Sequence, residues 1–292
     1  MIFKEVYNKH YKKLFFIPLL LVVLALFVIG NNYRITGDII AKDVTLKGGI
    51  TATISTSQKC PELESYLQQN FPESDLTVRS LTEFGTDEQI GMLIEITDAD
   101  EDILKTSLEE KLNLELTDEN YSIELVGSSL GESFYRQMLT AIILAFLFMA
   151  LVVLITFRSL IPSVAVVFAA FSDIVITIAI LDLFGMKLST AGIAALLMLI
   201  GYSIDTDILL TTKVLKSKNL GNATDRLLKG AKTGLTMTLT TIVALTASLI
   251  VTSSLILKQM FVIIIIGLII DIISTYCMNA GLLVWYARKK HV

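Results

Sequence analysis

The hydrophobic positions of this chain are gathered into six long stretches that contain no lysine or arginine. About 20 residues of helix, at a rise of 1.5 Å per residue, cross the hydrocarbon core of a bilayer. Each stretch reaches that length, so the pattern predicts six transmembrane helices. The stretches lie at 14–33, 137–157, 159–181, 188–212, 233–257 and 259–287.

A polar segment, 34–136, separates the first stretch from the second. Alternating apolar and polar positions within it predict strands, and spacings of three and four predict helices. The predicted order is βαββαβ, which is typical of a ferredoxin-like α+β domain. The strands are predicted at 45–55, 76–84, 91–97 and 121–126, and the helices at 61–71 and 100–114.

Composition agrees with a chain that lies largely in a membrane, because 53% of the residues are hydrophobic and only 18% are charged. The net charge of −4 conceals two opposite halves. Segment 34–136 holds 21 acidic and 8 basic residues, whereas basic residues predominate in the rest of the chain. The acidity is typical of an exposed, soluble domain.

The basic residues set the predicted orientation, because short cytoplasmic segments carry an excess of lysine and arginine. We therefore expect a cytoplasmic tail at 1–13, a first transmembrane helix at 14–33, an extracytoplasmic α+β domain at 34–136, transmembrane helices two to six at 137–287 and a cytoplasmic tail at 288–292. The basic residues that carry this prediction are Lys4, Lys9, Lys12, Lys13, Lys213, Lys216, Lys218, Arg226, Lys229, Lys232, Arg288, Lys289 and Lys290.

Four aspartates within the stretches are the candidate site: Asp173, Asp205, Asp207 and Asp271. A carboxylate at the centre of a membrane helix costs roughly 2.5 to 3.5 kcal/mol and usually faces a bundle interior or an aqueous cavity. No basic residue lies within the stretches, so these groups must be protonated, hydrogen-bonded, hydrated or paired with a cation from a partner. They are candidates for an ion relay.

Asp205 and Asp207 lie about 200° apart around a helix, so they cannot both face the same neighbour. Asp205 is deeper, and we expect it to face the bundle interior, while Asp207 approaches the headgroup region. On this expectation Asp205→Asn impairs function more than Asp207→Asn.

A face of hydroxyl residues marks the fifth stretch, where Thr233, Thr236 and Thr240 recur at helical spacing. One interpretation is close helix packing with threonines that bond to their own backbone. The other is that these hydroxyls lie beside the fourth stretch and donate to Asp205. The two cysteines, Cys60 and Cys277, predict no disulfide, and no spacing predicts a metal site or a catalytic residue.

Several strings together resemble the SecD/SecF family in its archaeal form. They are GYSIDTDILLTTKVLK at 201–216, the pair at 172–173, VGSSLGESF at 126–134, DVTLKGG at 43–49 and TLTT at 238–241. The resemblance covers nearly the whole chain. Within it, Asp205 matches the position of the aspartate in the SecD version of the span-four motif.

The resemblance implies a non-enzymatic accessory subunit of the protein-export machinery in the cell membrane, related to the resistance-nodulation-division transporters. Its expected partners are SecD, a SecYEG-type translocon, the translocating polypeptide and membrane lipid, with no nucleic acid. No cofactor is expected beyond a proton or sodium gradient. Two alternatives stay open: a half-size small-molecule or lipid transporter of the same superfamily, and an intramembrane aspartyl protease, whose usual Tyr-Asp and Gly-x-Gly-Asp motifs are absent.

Overall fold

The computed structural model describes residues 14–82, 88–216, 222–252 and 254–290. The predicted tail 1–13 lies outside these residues, together with its four lysines, and so do Lys218 and the last two residues of the predicted tail 288–292. The described chain begins in a long apolar helix, α1 (Phe16–Thr36), which ends at Gly37 in the left-handed conformation.

A small α+β domain follows α1, and its elements occur in the predicted βαββαβ order after one extra helical turn. The sheet order is β2-β3-β1-β4, with every neighbouring pair antiparallel, which is the ferredoxin-like arrangement. The elements are α2 (Val44–Lys47), β1 (Gly49–Ile54), α3 (Leu63–Asn70), β2 (Leu76–Thr82), β3 (Gln89–Ile96), α4 (Glu101–Leu112) and β4 (Tyr121–Val126).

The domain core lies between one face of the sheet and helices α3 and α4. Alternate residues of the central strand β1 are buried because successive side chains of a strand point to opposite faces. The buried set from strands and helices includes Ile50, Ile54, Leu63, Leu67, Ile94, Leu104 and Leu108.

The predicted strand 45–55 is wrong at its start, where the structure has the helical turn α2. Asp43 caps this turn, since its Oδ1 accepts a hydrogen bond of 2.9 Å from the amide of Thr45. Gly48 and Gly49 then adopt φ angles of 88° and 147°, which favour glycine, and redirect the chain into β1.

Six helices of the described chain are long and apolar enough to cross a membrane, and the predicted number of spans is confirmed. The second span begins at Ser128, before the apolar stretch at 137–157, so its first turns carry polar residues. The five spans after the outer domain are α5 (Ser128–Phe157), α6 (Leu160–Leu183), α7 (Thr190–Lys216), α8 (Ala223–Val251) and a last span that consists of α9 (Leu255–Ile273), a π-helix (Ser274–Asn279) and α10 (Ala280–Lys289).

Helices α6, α7 and α9 pack against one another and form the centre of the bundle. Helix α1 packs on α6, and α8 packs on α7 and α9. Helices α5 and α8 remain mostly uncovered within this chain, with only 11% of the most apolar part of each buried. The candidate carboxylates therefore have to be placed relative to the α6, α7 and α9 core.

Candidate functional site

Three carboxylates meet at the centre of the bundle, one from each core helix. Asp173 on α6, Asp207 on α7 and Asp271 on α9 are all fully buried, at 0% exposure. We call these three residues the carboxylate cluster. None of the ion pairs formed by described residues includes a member of it.

Hydroxyl groups from two neighbouring helices hold Asp173. Ser203 of α7 donates a 2.7 Å hydrogen bond to its Oδ2, and Ser274 of the π-helix donates to its Oδ1. Both serines are buried at 0% exposure. Asp173 thus ties the third span to the fourth and the sixth.

The last span supplies the hydrogen bonds that Asp207 receives. Its Oδ1 accepts 2.6 Å from the amide nitrogen of Asn279 and 2.9 Å from the hydroxyl of Thr275. The same Thr275 oxygen lies 3.1 Å from Oδ1 of Asp271. Thr275 is therefore a bridge between two carboxyl groups.

That bridge constrains where protons lie, because a hydroxyl has one proton to donate. The amide of Asn279 already donates to Asp207 Oδ1, which is thereby an acceptor. If Thr275 donates to the same atom, its contact with Asp271 is a hydrogen bond only when Asp271 carries a proton and donates to Thr275. All of these contacts can be hydrogen bonds at the same time if the cluster holds at least one proton.

Part of the cluster's hydrogen-bonding capacity is unused. Oδ2 of Asp207, Oδ2 of Asp271 and Oδ1 of Asn279 are buried without a hydrogen-bond partner among the described residues. Ionised carboxylates without a counter-charge are strongly disfavoured in a medium of low dielectric constant. The arrangement can therefore take up further protons. Among the described residues, no three or more His, Cys, Asp or Glu side chains are grouped to hold a metal ion.

The π-helix puts the last span's polar groups on the side that faces the cluster. Ser274, Thr275 and Asn279 all belong to it, and all three are buried. A π-turn includes one more residue per turn than an α-turn, and such turns often occur at functional sites. Here the wider turn keeps Thr275 and Asn279 pointed at Asp207.

The prediction that Asp205 faces the bundle interior is wrong. Asp205 is exposed on α7, whereas Asp207 is fully buried, so their expected places are exchanged. The physical reason is the rotation of α7: burying Ser203 and Asp207, which lie four residues apart on one face, directs Asp205 outward.

The predicted hydroxyl face of α8 is also exposed. Thr233, Thr236 and Thr240 donate to carbonyl oxygens of their own helix, at 3.3, 2.8 and 2.9 Å. The interpretation that these threonines bond to their own backbone is the one the structure agrees with, and none of these bonds reaches Asp205.

Sequence reasoning found three members of the cluster but missed the residues that hold them. A signal was present in the last span, where Asp271, Thr275 and Asn279 recur every four residues in an otherwise apolar helix. Ser203 and Asp207 repeat the same interval on α7. Polar residues at one helical spacing within a membrane span mark a shared face.

Comparison of the amino-acid sequence with known proteins identifies the family of this chain. A family model described as "Protein export membrane protein SecD/SecF, C-terminal" matches residues 106–289. Protein-export membrane protein SecF of Methanothermobacter thermautotrophicus is 39% identical over 97% of this chain and 94% of its own length. SecF of Methanocaldococcus jannaschii is 37% identical, over 96% of this chain and 97% of its own length.

The solved structures include a protein with the same fold. The crystal structure of SecDF, a translocon-associated membrane protein from Thermus thermophilus, superposes with a TM-score of 0.74 at 20% identity. The match covers 97% of this chain but only 38% of SecDF. With six apolar helices and SecF relatives over nearly its full length, this chain is a multi-pass cell-membrane protein with an extracytoplasmic segment, and it belongs to the SecD/SecF family of protein-export membrane proteins.

Proposed function

We propose that this chain is an accessory subunit of the Sec apparatus that promotes export of polypeptides across the cell membrane. The observation that carries the proposal is the identity of 37 to 39% with archaeal SecF proteins over nearly the whole of both chains. A shared name over that length favours export over the half-size small-molecule or lipid transporter.

The carboxylate cluster is the proposed point at which export is coupled to an ion gradient. Its support is chemical: Asp173, Asp207 and Asp271 are buried, and among the described residues they have no cationic partner and include oxygens with no hydrogen-bond partner. Protons suit this arrangement better than a metal ion, which needs several oxygen ligands around one point. When the cluster takes up or releases a proton, the Thr275 hydroxyl can change which of Asp207 and Asp271 it donates to and which it accepts from.

A SecD-type subunit is the proposed partner, and Asp205 indicates where it binds. Asp205 lies near the middle of α7 and is exposed within this chain, beside the exposed Gly201 and Tyr202. Facing lipid there, a carboxylate costs roughly 2.5 to 3.5 kcal/mol. A partner helix that presents a hydrogen-bond donor or a cation removes that cost. The SecYEG-type translocon and the moving polypeptide complete the proposed set of partners.

The export proposal is tested in cells that depend on this chain, by pulse-labelling a secreted protein and following its release. Asp173→Asn, Asp207→Asn and Asp271→Asn should each slow release severalfold, and Glu115→Gln, at an exposed carboxylate of the outer domain, is the control. Normal release in all three variants overturns the role of the cluster. Normal release in cells without the chain overturns the export function itself.

The ion is identified in vesicles that contain this chain, its SecD partner and the translocon. Dissipating the proton gradient should slow polypeptide movement, and dissipating a sodium gradient should not. The reverse result identifies sodium, and no response to either removes ion coupling.

The partner surface is tested by co-purification in mild detergent. Asp205→Lys should reduce recovery of the SecD partner severalfold, whereas Glu115→Lys, at an exposed position of the outer domain, should leave it unchanged. Equal recovery with both variants shows that the partner binds elsewhere.

A further inference from the structure

A network of polar contacts joins the outer domain to the bundle, at the loop between α6 and α7. Lys187 of this loop donates 2.5 Å to Oδ1 of Asp75 and 2.9 Å to the hydroxyl of Thr77, at the start of β2. Lys47 at the end of α2 donates 3.0 Å to the other oxygen of Asp75. Both oxygens of one carboxylate are thus used, one by the loop and one by the domain.

Two lysines share one carboxylate at this point. Burial by itself would raise the pKa of Asp75, but hydrogen bonds and positive charge from Lys187 and Lys47 outweigh it and lower the pKa. Asp75 is therefore ionised at neutral pH and is the counter-charge that both lysines share.

Backbone hydrogen bonds fix the same loop to the segment that leads from α1 into the domain. The amide of Leu188 donates 2.6 Å to the carbonyl of Ala41, and the amide of Asp43 donates 3.1 Å to the carbonyl of Leu188. At the start of α7, the amide of Thr190 donates 3.1 Å to the hydroxyl of Thr45. That hydroxyl in turn donates 2.6 Å to the capping carboxylate of Asp43.

Gln259 brings the last span into the network. Its side-chain amide donates 2.6 Å to the carbonyl of Lys187 and accepts 2.5 Å from the hydroxyl of Ser189. Ser189 also accepts a 3.0 Å bond from the amide of Gly192 in the first turn of α7. One glutamine thereby links the outer end of α9 to the loop and to α7.

We propose that Asp75, Lys187 and Gln259 are positioning residues that hold the outer domain in one orientation over the outer ends of α6, α7 and α9. Each of these three helices carries one member of the carboxylate cluster. The domain and the three helices then form one body, and a displacement of the helices moves the domain with them. The orientation itself does not depend on the proposed function, but its use in polypeptide export rests on it.

The orientation is measured with paired spin labels on the full-length chain in nanodiscs. Cys60 and Cys277 are replaced by serine, and labels are placed at Asp118 on the outer domain and Leu183 on α6, both exposed. The unchanged junction should give one narrow distance distribution. Lys187→Gln and Asp75→Asn should each broaden it at least twofold, and the double variant should broaden it no further than Asp75→Asn.

The matched control is Lys111→Gln, which removes a lysine whose ion pair with Glu62, at 3.6 Å, lies wholly within the outer domain. A second variant, Gln259→Leu, cuts the link to α9 without altering charge. It keeps the proposal testable if Asp75→Asn does not fold. If both Lys187→Gln and Gln259→Leu give distance distributions as narrow as that of the unchanged chain, these residues do not hold the outer domain in its orientation.

The release assay separates this proposal from the export function. Broader distance distributions together with slower polypeptide release support the positioning role. Broader distributions with normal release support the positioning role, overturn its use in export and leave the export function standing. Normal release in cells without the chain would overturn the export function, and it would leave the measured orientation valid and remove only its use in export.

Discussion

Asn279 donates a 2.6 Å hydrogen bond to Asp207, and this contact joins the last span to α7 at full burial. Removing the donor of a buried hydrogen bond, so that its acceptor is left unsatisfied, costs about 1 to 3 kcal/mol. Asn279→Ala should therefore lower the free energy of unfolding in detergent by about that amount. Asn222→Ala is the control, because Asn222 makes no side-chain cap bond at the start of α8. Equal stability of the two variants contradicts the assignment.

Because Asp207 rather than Asp205 is buried in the bundle, the expected order of the two asparagine variants is reversed. Asp207→Asn should slow polypeptide release more than Asp205→Asn, because only Asp207 contacts Thr275 and Asn279 in the cluster. Asp205→Asn should instead act on recovery of the partner. If Asp205→Asn slows release as much while partner recovery is normal, the cluster is not the coupling site.

Gly131, in the first turn of α5, lies against α2. A Cβ atom at Gly131 would lie 2.8 Å from the backbone nitrogen of Gly48, and backbone atoms cannot move aside as a side-chain end can. Gly131→Ala should therefore destabilise the chain by about 1 to 3 kcal/mol in thermal or denaturant unfolding. Gly127→Ala, where nothing lies within 4 Å of the added carbon, is the control and should be nearly neutral.

Asp43 should make stability depend on pH. Burial raises its pKa from 3.8 to about 6; hydrogen bonds from Thr45 oppose the rise, and the charge of Glu95 adds to it. The folded state therefore binds this proton more tightly than the unfolded state. The resulting stabilisation is complete below about pH 4 and is lost as the pH rises through about 6.

The variant Asp43→Asn keeps an acceptor for the amide of Thr45 but has no proton to lose. Its melting temperature, relative to the unchanged chain, should therefore rise between pH 4 and pH 7. The two-unit shift corresponds to roughly 3 kcal/mol over that range. Parallel pH profiles for the two chains contradict the prediction, and the exposed Glu115→Gln serves as the control.

Asp100 caps α4, because its Oδ1 accepts from the amides of Asp102 and Ile103 at 3.0 and 3.4 Å. Replacing such a cap by alanine costs about 1 kcal/mol. Asp100→Ala should lower the unfolding free energy by that amount, and Asp100→Asn should retain most of it. Loss of stability in the Asn variant equal to that in Ala points to a role beyond capping.

Much of the fold follows from local patterns. Spans such as α6 and α7 are long, mainly apolar runs, and strands such as β1 alternate between apolar and polar residues, so neighbouring residues are enough to predict these elements. The start of β1 differs from the alternating pattern because the hydrogen bond that the amide of Thr45 donates to Asp43 favours a helical turn over extended backbone.

The geometry of the candidate site is harder to predict from the sequence, because it depends on how each span is rotated about its axis. Helix α7 carries its two aspartates on different faces, and depth along the helix by itself favours Asp205 over Asp207. Rotation is decided instead by contacts across the sequence, such as those of Thr275 and Asn279 with α7. The four-residue interval of polar positions in the last span, and the same interval between Ser203 and Asp207 on α7, carry that information locally.

Both hydrogen bonds that Asp207 receives from side chains come from the last span, and this has a consequence for biogenesis. The ribosome completes α7 well before it reaches Thr275 and Asn279. Helix α7 therefore enters the bilayer before the side chains that hydrogen-bond Asp207 have been synthesised. The bundle can be completed only when synthesis is nearly over. In a chain truncated before the π-helix, Asp207 lacks its hydrogen-bond donors, and quality-control proteases should degrade such a chain.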